Sequence, residues 1–306
     1  LKNLENKLLV ILGPTASGKT NLAVKIASKI EGEVISADSR QVYKGMDIGT
    51  GKDLNEYETF KVPYHLIDLV PAGEKYFLGN FQQDFFKVFK EIQLRNHQAI
   101  LCGGTGLYIQ SVLLDFWQTQ IPNDLDLRKS FEQKSYEELL NIFKEYKTVF
   151  KFDTSTIKRL TRAIEILEYL IKNSDFKPNV FQKPLFKIYG LSPSLENRRE
   201  KISKRLKERI EHQGLITEVE NLLNDGVSEN MLLYYGLEYR YICEYLKGKR
   251  SYKEMYDKLE VEIHRFAKRQ MTFFRSLEKK DIKINWIPNE FSEEEKIDYV
   301  IADFKE

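Results

Sequence analysis

The sequence predicts an α/β fold: a parallel sheet core flanked by helices, with a helical insertion domain and a helical C-terminal region. Three observations carry that prediction. Short apolar runs alternate with amphipathic stretches through the first half of the chain, the pattern of parallel strands joined by helices. A glycine-rich loop of phosphate-binding type joins the first such run to the first amphipathic stretch. From about residue 115 the apolar runs give way to charged helical patterns, and one apolar run returns near residue 185.

Lys7-Leu8-Leu9-Val10-Ile11-Leu12-Gly13 reads as a buried strand. Leu22, Ile26 and Ile30, with Ala23 and Ala27 beside them, recur at helical spacing. Glu33 to Asp38 is a second strand, His65 to Val70 a third, and Ala99 to Gly103 a fourth, reached through a helix over Phe81 to Arg95. Helices follow over Tyr136 to Lys147 and Thr156 to Ile171, and Leu185 to Leu191 returns to the sheet. From Leu195 to Lys280 the chain is helical and rich in Arg, Lys and Tyr. The expected division is a core from residues 1–114 and 150–306, with residues 115–149 as the helical insertion.

Composition narrows the function classes. With 42% hydrophobic and 31% charged residues over 306 positions, the chain is neither collagenous nor largely disordered. The formal net charge of +2 gives no licence by itself for a nucleic-acid partner. Two cysteines, Cys102 and Cys243, are too few for a disulfide framework or a zinc site and read as buried thiols. No stretch approaches the ~18 apolar residues of a membrane span, and the short polar N-terminus is not a secretory signal. A cytoplasmic protein, with a monomer sufficing, is the expectation.

Gly13-Pro14-Thr15-Ala16-Ser17-Gly18-Lys19-Thr20 matches G-x-x-x-x-G-K-[ST] at every fixed position, between a strand and a helix. Its glycines let successive N–H groups point at one anion, and the helix N-terminus adds favourable potential. Lys19 supplies a positive charge to phosphate oxygens and Thr20 a hydroxyl ligand for Mg²⁺. The core is thereby expected to be P-loop NTPase-like. Nucleotide hydrolases usually place an Asp for Mg²⁺ at the end of a neighbouring apolar strand. Here the fourth strand ends Cys102-Gly103-Gly104-Thr105-Gly106, and the carboxylates nearby are Asp38 and Asp68. The bound group is then open to being a pyrophosphate that leaves, not a phosphoryl that is transferred.

Taken with that loop, the runs Asp38-Ser39-Arg40-Gln41-Val42-Tyr43-Lys44-Gly45-Met46-Asp47-Ile48-Gly49-Thr50, Gly103-Gly104-Thr105-Gly106-Leu107-Tyr108, Arg159-Leu160-Thr161-Arg162-Ala163-Ile164-Glu165 and Ala267-Lys268-Arg269-Gln270 resemble the tRNA dimethylallyltransferases. The five segments occur in family order between residues 13 and 275. The resemblance implies transfer of a dimethylallyl group from dimethylallyl pyrophosphate to N6 of the adenine 3′ of the anticodon, position 37, in tRNA. The chain departs from the family pattern at Tyr64-His65 (usually His-His), Gly51 (usually Ala), Tyr235-Gly236-Leu237-Glu238-Tyr239, His264 (around which the family's Thr is replaced) and Phe273 (usually Trp).

An exocyclic amine is a poor nucleophile, so the reaction needs a base near it and positive charge on the leaving group. The resemblance assigns Asp38 as the base, Lys19 and the loop amides of residues 13–20 to the pyrophosphate, and Arg128 as a further phosphate contact. Thr105 follows two glycines, and its hydroxyl is a candidate for a bridging phosphate oxygen or the acceptor base. Ser39, Arg40 and Gln41 are expected around the base. The RNA is expected to meet Arg128, Lys158, Arg159, Leu160, Thr161 and Arg162, and also Arg265, Lys268 and Arg269. Charge supports this locally: Arg198 to Glu211 carries a net +4 and His264 to Lys280 a net +5, interleaved with Phe266, Phe273 and Phe274. An amphipathic helix with a solvated basic face would show the same pattern. Three other readings stay open: a P-loop nucleotide kinase or ATPase, an adenylate isopentenyltransferase, and an RNA-binding module with a vestigial loop.

Overall fold

Six strands form one all-parallel sheet in the computed structural model of the chain, which describes residues 7–114 and 116–306. The polar N-terminal residues 1–6 lie outside that description. The strands are β1 (Lys7–Leu12), β2 (Gly32–Ser36), β3 (Tyr43–Lys44), β4 (Tyr64–His65), β5 (Val70–Pro71), β6 (Gln98–Gly103), β7 (Leu185–Leu191) and β8 (Asn285–Ile287). The sheet runs β4-β2-β6-β1-β7-β8, while β3 and β5 form a separate two-stranded sheet. β1 sits centrally, Leu9 opposite Ile100 of β6 and Lys187 of β7. β2 and β6 are buried throughout and β1 from Leu8 to Leu12, which is why they read as continuous apolar runs.

The helices are α1 (Lys19–Lys29), α2 (Leu54–Phe60), α3 (Leu78–Leu94), α4 (Gly106–Leu113), α5 (Leu125–Phe131), α6 (Tyr136–Glu145), α7 (Ile157–Lys172), α8 (Leu195–Glu211), α9 (Leu215–Asn224), α10 (Glu229–Tyr235), α11 (Leu237–Leu246), α12 (Tyr252–Glu278) and α13 (Glu293–Lys305). Side chains alternate across a strand, so β1 feeds two cores. Leu8, Val10 and Leu12 pack with α3, α4 and the helices from α8 to α12; Leu9 and Ile11 pack with α1 and α13. Cys102 and Cys243 are buried free thiols, as their surroundings in the sequence predict.

Two expectations change. The third strand does not run from His65 to Val70: Leu66 and Asp68 take left-handed φ values of 61° and 56°, splitting it into β4 and β5. The buried Lys52 ammonium draws Asp68 into an ion pair and also reaches Asp47 and the Tyr43 carbonyl, which stabilises that kink. The chain also divides into two compact units, Leu1–Leu114 with Lys183–Glu306, and Asp115–Gln182. The second unit therefore extends beyond the expected 115–149, because α7 belongs to it. Leu160 and Ile164 of α7 form a small core with Phe131 and Leu139 of α5 and α6.

Candidate active site

The parallel sheet brings the loops after β1, β2 and β6 together at the carboxyl ends of adjacent strands, where open α/β sheets bind ligands. The loop after β1 turns sharply through Ala16 (φ 59°) and Gly18 (φ 83°) and delivers Lys19 and Thr20 to the first turn of α1. Lys19 Nζ donates to the Pro14 carbonyl at 3.4 Å. Burial pushes its ammonium below the ordinary lysine value, while Cys102 and Asp38 oppose that shift. It therefore faces the site as the kind of under-compensated cation that a phosphate satisfies.

Asp38 follows β2. Its Oδ1 accepts from the Arg40 backbone N–H at 2.9 Å, so one carboxylate oxygen holds the turn. The Ser39 N–H donates to Thr105 Oγ1 at 3.0 Å, and the Thr105 N–H to the Ala37 carbonyl at 3.1 Å, tying the loop after β6 to the loop bearing Asp38. Gly103 allows that approach, because a Cβ there would overlap the Ala37 carbonyl. Gln41 is buried, with its amide committed to protein: Oε1 accepts from Ser36 Oγ at 2.7 Å and Nε2 donates to the Gly51 carbonyl at 2.9 Å.

These groups open onto one cavity of about 460 Å³. Thr15, Lys19, Thr20, Asp38, Ser39, Arg40, Gln41, Thr105 and Arg269 line it, so the structure unites the predicted donor and base residues. Its apolar wall includes Ile263, Phe266 and Phe273 of α12 and Leu237 and Tyr239 of α11. A second cavity, also about 460 Å³, is lined by Ala16, Ser17, Gly18, Lys201, Asn55 and Glu56. The two share Lys19, Thr20, Asp53 and Arg205, so they meet at the end of the phosphate-binding loop.

Three residues that the sequence did not single out hold this site together: Gln270 and Arg205 line the first cavity, and Glu218 bonds Gly49 and Tyr239, which line it. Gln270 of α12 accepts from the Thr15 N–H at 2.9 Å and donates to the Gly104 carbonyl at 2.9 Å. Glu218 of α9 accepts the backbone N–H groups of Asp47, Ile48 and Gly49 and the Tyr239 hydroxyl, anchoring the loop that follows β3. Arg205 pairs with Asp53. The Gln270 signal lay in its motif run, and the other two fall in stretches that read as solvated helix.

On α12, Arg265, Lys268 and Arg269 are exposed; Arg265 pairs with Glu262 at 2.6 Å, and Arg269 lies 6.0 Å from the Phe266 ring. The other predicted contacts lie in the second unit. There Arg128 and Arg162 both bind the buried Glu165, and Arg162 also donates to the Gln118 and Ile121 carbonyls. Their guanidiniums thus hold α5, α7 and the preceding loop together. Arg159 pairs with Asp153 at 2.8 Å, Lys158 is exposed and Thr161 is half-buried. Leu160, expected at the RNA, is instead wholly buried because it fills the core of that unit.

Known proteins resemble this chain over nearly its whole length. The family profile described as IPP transferase matches residues 41–277, and that described as isopentenyl transferase matches residues 6–62. A tRNA dimethylallyltransferase of Azobacteroides pseudotrichonymphae is 48% identical over 286 residues, covering 92% of this chain and 93% of the relative. One of Bacteroides fragilis is 45% identical over 302 residues, covering 98% of each. The crystal structure of a tRNA isopentenylpyrophosphate transferase from Bacillus halodurans superposes with a TM-score of 0.72 at 30% identity, covering 98% of this chain and 97% of that one.

Proposed function

The chain belongs to the IPP transferase family, that of the tRNA dimethylallyltransferases, and on that premise we propose its reaction. A dimethylallyl group passes from dimethylallyl pyrophosphate to N6 of the adenine 3′ of the anticodon, position 37, in tRNA. The observation that carries this reading is the shared cavity, which Asp38 and Lys19 line together with apolar side chains of α11 and α12.

The phosphate-binding loop, Lys19 and Arg205 bind the diphosphate at the junction of the two cavities. The apolar wall of Phe266, Phe273 and Leu237 takes the five-carbon chain and excludes water from the allylic carbon. The target adenine leaves its stack to enter, with N6 beside Asp38. The N6 lone pair forms the new C–N bond, the allylic C–O bond breaks, and its electrons leave on pyrophosphate. Asp38 takes the N6 proton through the oxygen that does not hold the turn. Ser39 and Thr105, bonded to each other, fix the loop that carries Asp38 and border the base.

Mg²⁺ fits the donor set. The Thr20 hydroxyl is a hard oxygen donor on the cavity, and the described residues form no cluster of three or more acidic, His or Cys ligands. That suits an ion that keeps much of its water and arrives on substrate phosphates. When bound, it would neutralise charge on the leaving pyrophosphate. Arg265, Lys268 and Arg269 on α12, and Lys158 and Arg159 on the second unit, would take phosphates of the anticodon arm. Arg128 and Arg162 would serve that surface by holding its fold. No helix among the described residues is long and apolar enough to cross a membrane, and a monomer acting in the cytoplasm completes the reading.

The test is product mass. Incubated with dimethylallyl pyrophosphate and Mg²⁺, unmodified tRNA should gain one five-carbon unit, whereas AMP and ATP should not. ATP turnover without prenyl transfer would sink the reading. Asp38→Ala should lower transfer about 10²–10⁴-fold, the usual contribution of a general base, while leaving tRNA binding intact. Unchanged turnover would refute its role.

A further inference from the structure

Arg209 lies in the last turn of α8, on the row of that helix that buries Ile202, Leu206 and Ile210. It is 8% exposed, and it lines the cavity with Lys19, Thr20 and Arg205. Its guanidinium makes no hydrogen bond or ion pair with any described residue. Arg205, one turn earlier, has Asp53 as its partner; Arg209 has none. Burial lowers its pKa to about 10, with Arg205 adding to that effect and Glu238 and Asp53 opposing it. It therefore stays charged at neutral pH.

A buried guanidinium without a counter-charge is strongly unfavourable, yet the chain is built around this one. Gly51 runs directly beneath it: a Cβ at that position would overlap Arg209 Nη2 and stand 2.6 Å from Arg205 Nη2. Gly51 itself is held in place, at φ 63°, by the Gln41 side chain on its carbonyl. So the loop leaves room for a guanidinium that no described residue hydrogen-bonds or pairs with, Glu238 and Asp53 acting on it only from beyond contact distance.

We propose that Arg209 is a donor-binding residue whose guanidinium takes oxygens of the prenyl donor's diphosphate, beside Lys19 and Arg205. The assignment rests on the prenyl-transfer reading of this cavity and deepens it. Planar guanidinium donors match paired phosphate oxygens, and a low-dielectric wall strengthens that contact. The ligand supplies the counter-charge, so binding relieves an unfavourable term of the free protein. A phosphate of the tRNA backbone has the same chemistry; the position of Arg209 beside the end of the phosphate-binding loop favours the diphosphate.

The experiment uses the full chain. Calorimetry with inorganic pyrophosphate and Mg²⁺ should give a dissociation constant raised about 10–100-fold in Arg209→Met, the loss expected for one charge-assisted contact. The KM for dimethylallyl pyrophosphate should rise in parallel, with tRNA affinity unchanged. Gly51→Ala should weaken pyrophosphate binding too, by displacing the guanidinium, and its effect should be smaller in an Arg209→Met background, where only its 2.6 Å approach to Arg205 remains. Removing Arg209 breaks no hydrogen bond and relieves a desolvated charge, while Glu238 loses a favourable neighbour, so Arg209→Met should unfold near the wild-type temperature. An Arg with a structural hydrogen-bonding role would lower it by about 4 °C or more. Equal pyrophosphate affinity in wild type and Arg209→Met, with wild-type prenyl transfer intact, overturns this assignment alone. A loss confined to tRNA affinity also overturns it. A wild-type chain that neither binds pyrophosphate nor transfers a prenyl group overturns the functional reading with it.

Discussion

Replacing Gln270 tests whether the C-terminal helix is part of the active site's frame or only leans on it. Its amide joins the Thr15 N–H to the Gly104 carbonyl, both at 2.9 Å, and the residue is 7% exposed. Gln270→Ala leaves one donor and one acceptor without partners where water has little access. Each orphaned group costs about 1–3 kcal/mol, so the variant should lose about 2–6 kcal/mol, a large share of a typical ~5–15 kcal/mol of stability. Gln270→Glu sharpens the argument. It keeps the acceptor for Thr15 but sets a carboxylate against the Gly104 carbonyl. The protonated acid can donate there, which raises its folded-state pKa above the unfolded value. The variant's stability should then be fullest at low pH and fall as pH rises through the raised pKa. Guanidinium chloride unfolding measures both effects, and kcat/KM with dimethylallyl pyrophosphate should fall with them, because the amide fixes the loops that carry Lys19 and Thr105. A midpoint for Gln270→Ala within about 0.5 kcal/mol of wild type, with unchanged kcat/KM, would refute the frame.

Two further changes probe the sheet beneath the site. Burial pushes the Glu33 carboxyl up, but hydrogen bonds from Arg95, His65 and His97 outweigh that and hold it at about 2. A depressed carboxyl pKa gives stability that is present above the unfolded value of ~4.3 and lost as pH falls toward 2. Allowing for solvent around Arg95, Glu33→Gln should cost about 2–3 kcal/mol at pH 7 and much less near pH 2; a pH-independent difference in thermal unfolding would exclude this linkage. Gly103→Ala places a Cβ into the Ala37 carbonyl and 2.7 Å from the Ala37 Cβ. Backbone cannot rotate away, so about 1–3 kcal/mol of destabilisation is expected, with weaker transfer because the Ser39–Thr105 bond shifts. An unchanged melting temperature would contradict that close approach.

What the sequence disclosed and what it concealed follow from the range of the interactions. The phosphate-binding loop was legible because residues 13–20 carry their own turn chemistry and lie between a strand and a helix that announce themselves. β1, β2 and β6 were legible because burial on both faces leaves a nearly continuous apolar run. The kink at Leu66 and Asp68 was not, since the partner that stabilises it, Lys52, is 16 residues away in sequence. Gln270 reaches Thr15 across 255 residues, and no periodicity encodes that. For α7, the apolar row was visible, but nothing local says that Leu160 and Ile164 meet Phe131 and Leu139 instead of the larger core. The net +4 from Arg198 to Glu211 suggested a face turned to RNA or to solvent. Yet Arg209 stands three residues after Leu206 and seven after Ile202, on the buried row of the same helix. That offset was the available sign that one of seven cations points inward.

The departure from the family pattern at Gly51 now acquires a physical cause. Alanine there would meet the Arg209 guanidinium, and an L-residue at φ 63° would be strained in addition. Glycine at 51 and arginine at 209 are therefore one sterically coupled choice, not two independent ones. Glu238, in the divergent segment Tyr235-Gly236-Leu237-Glu238-Tyr239, lines the same cavity, and burial raises its carboxyl pKa while Arg209 opposes the rise. Two divergent positions far apart in sequence thus act on one guanidinium, Gly51 sterically and Glu238 electrostatically. Loss of that guanidinium removes the reason for both. In an Arg209→Met background, Gly51→Ala should retain the backbone strain of a left-handed alanine, about 1 kcal/mol, and the 2.6 Å approach to the more flexible Arg205 guanidinium. In the wild-type background the same substitution must also move a buried charge. A measured cost equal in both backgrounds would show that Gly51 answers to its own turn and not to Arg209.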